Sequence, residues 1–142
     1  MSDLVEQLRR HEGVRSTVYK CTAGFDTIGV GRNISESGLG LSDDEIDYLL
    51  ENDINRCRKE LVIFPWFREL DSVRQDALTN LCFNLGISRL MRFEKALAAM
   101  EQRDYAKAAA EFLDSRWAEQ VGNRAIEVTI MIRTGEYPKQ NR

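Results

Sequence analysis

HEGVRSTVYKCTAGFDTIGVGRN, residues 11–33, closes one kind of structure and opens another. Ahead of it, Ser2 is placed to cap a helix, with Asp3 and Glu6 in its first turns, where carboxylates favour the positive end of the helix dipole. Leu4, Val5, Leu8 and Glu12 then follow helical spacing, and Gly13 is a stop signal. The face that begins apolar therefore ends in a carboxylate. From residue 17 the pattern changes. Val18, Tyr19, Phe25, Ile28, Val30 and Ile34 are strand formers, and CTAG (21–24) reads as a turn. Gly24, Gly29 and Gly31 suit a tight hairpin where something approaches the backbone closely. A small antiparallel sheet of two or three strands is predicted over 17–34. Cys21 sits in its polar turn between Lys20 and Thr22, within reach of water, and not on the apolar face that a structural cysteine takes.

Working outward, SESGLGLS (35–42) reads as a loop, and SDDE (42–45) as a capping box with Ser42 as cap and Glu45 three residues on. Ile46, Leu49, Leu50, Asp53, Ile54 and Cys57 carry one helical face to about Leu61, and Pro65 interrupts. Leu70, Val73, Ala77, Leu78, Leu81, Cys82 and Leu85 form an apolar helix fit for the centre of a bundle, ended by Gly86. Helices follow around 93–101 and 104–113, DSRW (114–117) opens a short one, and 123–134 gives the last, closed by Gly135 before Pro138. The fold class expected is α+β and mainly helical: a small hairpin lobe, a long helix, and a helical lobe. The first helix is expected to pack on the rear lobe, because its apolar face needs a partner.

Composition excludes several classes of function. With 43% hydrophobic and 30% charged residues the chain is an ordinary globular sequence. No run approaches the ~18 apolar residues of a membrane span, and the charged N-terminus lacks a signal-peptide core. Synthesis and retention in a cytoplasm are expected, with no membrane anchor. Net charge is -3, with -4 carried by residues 1–60 and +1 by 61–142, so neither part has the positive field of a nucleic-acid binder. Three cysteines without an export signal argue against a disulfide framework. His11 is the only histidine and no CxxC occurs, which argues against a zinc site and against a Ser-His-Asp triad. No metal and no cofactor are expected.

Three residues stand out together: Glu12 at a helix end, Cys21 nine residues later on a turn, and Thr27 six further on the returning strand. Here the sequence resembles the phage-type lysozymes, the T-even-type muramidases of glycoside hydrolase family 24. Their N-terminal signature is an EG dipeptide, a Tyr-Lys-Asp-Thr-x-Gly turn, then Thr-Ile-Gly-x-Gly. The likeness continues in LDSVRQDALTNLCFNLG (70–86), SRWAEQVGNRA (115–125) and RTGEY (133–137). The 32–42 stretch looks shorter than in longer members, which implies a trimmed front lobe. The resemblance implies a single lysozyme domain over 1–142 with a two-lobe, lysozyme-like fold. Its small lobe covers about 13–50, its connecting helix about 43–61, and its helical lobe about 62–142 plus the N-terminal helix 3–12.

Carried over by position, Glu12 matches the family's catalytic glutamate and Thr27 its catalytic threonine. Cys21 stands where most members have an aspartate, although some endolysin-like members carry cysteine there. The resemblance makes Arg124 a supporting arginine that contacts the catalytic glutamate, Asn84 a cleft-lining polar residue, and Gly31 a supporting glycine. Arg32 replaces a more familiar histidine, and an Arg32–Asp53 ion pair is expected. His11 reads as a surface or packing residue. Asp26 reads as a solvent-facing turn residue that would replace the missing carboxylate only in another register. Cys57, Cys82, Trp66 and Trp117 read as core.

The activity implied is hydrolysis of the β-1,4 bond between N-acetylmuramic acid and N-acetylglucosamine in peptidoglycan by an endolysin. Glu12 would be the general acid, and Cys21 with Thr27 would position the attacking water, with Lys20 or another cation favouring the thiolate. A monomer is expected, acting on glycan strands, released from the host cytoplasm to the periplasm or wall with a holin's help. Two other readings stand beside it: a lytic transglycosylase giving 1,6-anhydro ends, and a glycan-binding lysozyme homologue in which loss of the aspartate left binding alone.

Overall fold

The computed structural model describes residues 2–139. It is mainly helical with one small antiparallel sheet, the α+β class expected. The chain divides into two compact units, Met1–Leu49 and Leu50–Arg142, and the division falls inside the long helix α2, Asp43–Leu61.

The first unit opens with α1, Asp3–Glu12. Ser2 Oγ accepts from the Val5 N–H at 3.2 Å, and Gly13, at φ 78°, donates its N–H to Arg9 O at 2.9 Å. Both ends of the helix are therefore where the cap and the glycine put them. Strands β1 (Arg15–Lys20), β2 (Asp26–Gly29) and β3 (Arg32–Asn33) form a sheet in sequence order. β1 starts two residues before the predicted onset because Arg15 pairs with Gly29, beyond an irregularity in the register. Between β1 and β2 the CTAG turn closes by Gly24 N–H to Cys21 O at 2.8 Å and Cys21 N–H to Phe25 O at 3.0 Å.

Arg32 Nη1 donates to Gly40 O at 2.9 Å and to Glu45 Oε1 at 2.8 Å. This corrects the expected Arg32–Asp53 pair, since Asp53 pairs instead with Arg56 on its own helix at 2.9 Å. The loop 34–42 returns the start of α2 to β3, which brings Glu45 to Arg32. The capping box is half formed. Glu45 accepts from the Ser42 N–H at 2.9 Å, but the Ser42 hydroxyl also donates to Glu45, at 2.8 Å. Arg32, then the Ser42 N–H and hydroxyl, hold the Glu45 carboxyl down at about 2, below the usual ~4.3. Because the folded value is depressed, this contribution to stability is complete above the ordinary carboxylate range. It is lost as pH falls from there towards 2. Glu45→Gln is expected to lower thermal stability at pH 7 and to flatten its decline between pH 4 and 2, read by calorimetry across that range.

The second unit is a helical bundle. After α2 come a 3-10 turn (Phe67–Glu69), α3 (Ser72–Leu85), α4 (Ile87–Leu90), α5 (Glu94–Glu101), α6 (Tyr105–Leu113), α7 (Arg116–Val121) and α8 (Asn123–Thr134). Asp71, Asp104 and Ser115 cap α3, α6 and α7 through their side chains, and Gly86 and Gly135 end α3 and α8. Ala77, Leu78, Leu81, Cys82 and Leu85 of α3 are buried, so the expected central helix forms. Around it Leu61, Leu90, Met100, Phe112 and Ile132 complete the core. Cys57 and Cys82 are buried, and desolvation, followed by Cys57 beside it, pushes the Cys82 thiol up to about 12. That thiol is inert at any ordinary pH.

One arginine ties the two ends of this bundle. Arg74 Nε donates to Ile132 O at 2.6 Å and Nη2 to Arg133 O at 3.1 Å, satisfying carbonyls at the end of α8. Its guanidinium also lies 3.7 Å from the Tyr105 ring centroid and 3.0 Å from Asp71 Oδ1. Only 15% of the side chain is exposed, so these bonds are poorly screened. Arg74→Ala is expected to destabilise the protein by about 2–3 kcal/mol, measured as a shifted urea midpoint at constant slope.

Candidate active site

Glu12 is the last residue of α1 and is exposed. It lies against the turn between β2 and β3, where Gly31 has φ 67°. A Cβ on Gly31 would fall 2.6 Å from Glu12 Oε2 and 2.9 Å from Cδ. The acid and the glycine that the sequence singled out are thus in contact.

Thr27 and Cys21 form a second pair. Thr27 sits on the middle strand, opposite Tyr19 on one side and Asn33 on the other, and is only 3% exposed. Its hydroxyl donates to Phe25 O at 2.8 Å, which leaves its lone pairs to accept. Cys21 is half-buried and free. The Phe25 backbone N–H holds its thiol below the ordinary value against partial desolvation, helped by the Ala23 and Gly24 N–H groups. The tight turn aims its amides at sulfur, and amides stabilise a thiolate. Lys20, the cation expected to help, is engaged elsewhere: its ammonium lies 2.6 Å from Asp26 Oδ1. That pair also accounts for Asp26, which opens β2 opposite Lys20. His11 is exposed on α1.

Asn84 and Arg124 belong to the second unit. The Asn84 side-chain oxygen accepts from Trp117 Nε1 at 2.6 Å, and Trp117 is buried as expected. Arg124 Nε donates to Asn80 Oδ1 at 2.9 Å. Arg124 and Asn80 line a concavity of about 350 Å3 together with Phe83, Arg58, Asp76 and Tyr137. There Asp76 accepts from Tyr137 and from Arg58, and the Asp76 hydrogen bond pushes the Tyr137 phenol up. The Arg58–Asp76–Tyr137 group was not singled out by sequence reasoning. Its members are 18 and 61 residues apart, with no local pattern to join them.

The chain is similar to several known proteins. The family model described as phage lysozyme matches residues 9–133. The chain is 27% identical to "Probable T4-type lysozyme 1" of Dictyostelium discoideum over an alignment 163 positions long, covering 95% of this chain and 96% of that protein. It is 31% identical to the "Endolysin" of Salmonella phage P22 over 121 residues, covering 79% of this chain and 80% of the relative. It is also 30% identical to "Pre-baseplate central spike protein Gp5" of Enterobacteria phage T4, matching 93% of this chain but only 28% of that longer protein.

Proposed function

The chain belongs to the phage lysozyme family, and from that premise we propose that it is an endolysin-type muramidase acting on bacterial peptidoglycan. The bond cut is the β-1,4 link between N-acetylmuramic acid and N-acetylglucosamine. The observation that supports this reading best is the hairpin site of the first unit. It combines a solvent-reachable carboxyl on Glu12 with a thiol that turn amides bias towards thiolate, beside a hydroxyl with free lone pairs.

Glycoside hydrolysis needs a proton for the leaving oxygen and a base for water on the opposite face of the sugar. Glu12 gives its proton to the glycosidic oxygen as the bond to the anomeric carbon breaks. Water adds to that carbon. Thr27 accepts a hydrogen bond from this water and orients it, and the Cys21 thiolate takes its other proton. Glu12 ends as carboxylate and Cys21 as thiol, and solvent restores both. The step needs no metal and no cofactor. Asn84 and Arg124 enter as supporting residues on their own unit, with Trp117 and Asn80 as their partners. Release to the wall at lysis, as a monomer and with a holin's help, is part of the same proposal.

The test is mass spectrometry of products after incubating reduced protein with purified peptidoglycan. Muropeptides with free reducing muramic acid ends are expected. Intact glycan with retained binding would replace the muramidase by a binding protein, and 1,6-anhydro ends would replace it by a transglycosylase.

A further inference from the structure

Building on the reading of Glu12 as the acid, we infer that Gly31 is a positioning residue. The bare backbone of the β2–β3 turn holds the Glu12 carboxyl in the place from which it donates its proton. Three atoms of the acid, Oε2, Cδ and Cγ, would lie within 2.6–3.1 Å of a Cβ at position 31. Within its own unit, no hydrogen bond or ion pair among the described residues reaches the Glu12 carboxyl, and the turn at Gly31 is what it packs against there. The glycine is required twice over: by its φ of 67° and by the space its missing side chain leaves to the acid.

The two requirements can be separated, because the same hairpin contains an internal control. Gly29 has φ 68°, and a Cβ there would meet nothing within 4 Å. Alanine at either position carries the same backbone strain, but only alanine at 31 meets Glu12. The atom it meets first, Oε2, is the tip of a flexible side chain. The hairpin therefore keeps its fold while the carboxyl moves aside. A displacement of about 1 Å in a reacting group is worth about 100-fold in rate.

Two measurements test this. In the first, the protein is titrated by NMR with isotope-labelled glycine. The Gly31 amide shift is expected to follow ionisation of Glu12, to lose that dependence in Glu12→Gln, and to contrast with a Gly29 amide that does not follow it. In the second, Gly31→Ala is expected to lower kcat on peptidoglycan about 10–100-fold with KM little changed, while Gly29→Ala stays within about threefold of the parent. A Gly31 amide that ignores the Glu12 titration overturns the proposal, and so does equal loss of kcat in the two variants. The titration needs no substitution at 31, so a misfolded Gly31→Ala does not block it. Parent protein that leaves the glycan intact overturns the acid's role itself. That failure is distinct from a flat Gly31 titration in an active enzyme, which removes the positioning role alone.

Discussion

Glu12→Gln is expected to lower kcat on peptidoglycan by about 10²–10⁴-fold, the range assigned to a positioned general acid. The amide keeps the shape of the carboxyl and its packing against Gly31, but it has no proton to give. Stability should not fall with activity. Glu12 is the last residue of α1, where the negative end of the helix dipole disfavours a carboxylate. Arg9 and Arg10, in the same last turn, have the sign the dipole prefers. An acid in that position opposes local stability, so its neutral amide should leave the urea midpoint unchanged or slightly raised. Parallel measurement of muropeptide release and unfolding reads both effects. A variant retaining activity within threefold of the parent would remove Glu12 from the chemistry. A variant losing activity and stability together would make it structural.

The sequence reading of Glu12 rests on that unusual placement together with the family motif around it. An apolar helix face ending in an acid departs from what packing and capping would select, and departures of that kind concentrate at functional sites. The fold was legible for a related reason: its boundaries are written in local chemistry. Ser2, Asp71, Asp104 and Ser115 each accept from a backbone N–H three residues on, and Gly13, Gly86 and Gly135 each take a positive φ at a helix end. What escaped was short or distant. The 3-10 turn at Phe67–Glu69 and α4 at Ile87–Leu90 are too brief to show a helical period.

The ion pairs escaped because a charge selects its partner by position in space. Asp53 was a plausible partner for Arg32 by family pattern, yet Glu45 is the acid that the loop brings to it. Cys21 shows the same limit. Sequence placed it in a polar turn and named Lys20 or another cation as the group that would activate it. The structure gives Lys20 to Asp26 and turns the backbone amides of 23–25 on the sulfur. Backbone donors leave no mark in a sequence beyond the turn that aims them.

Those amides lead to a sharper expectation for Cys21. If its thiolate takes the proton from water, activity depends on the ionised form and declines as pH falls through the thiol's pKa. That pKa is depressed, chiefly by the Phe25 N–H, so the decline lies on the acid side of the ordinary thiol value of ~8.5. Cys21→Asp puts a carboxylate into the same ring of donors. Because a carboxyl ionises near ~3.9, this variant should keep its activity to much lower pH, its acid limb moving towards about pH 4. Cys21→Ala removes the acceptor and should cost about 10²-fold above the parent's acid limb, the difference shrinking below it as the parent itself loses thiolate. The parent's acid limb should also coincide with the pH dependence of Cys21 alkylation by iodoacetamide, since both report the same thiolate. Cys57 and Cys82 are buried and should not compete for the reagent in the folded protein. Matching acid limbs in the parent and Cys21→Asp would show that the group at position 21 does not accept the proton. Thr27 would then be left to orient water without a base beside it, and the thiol would be a residue of the turn alone.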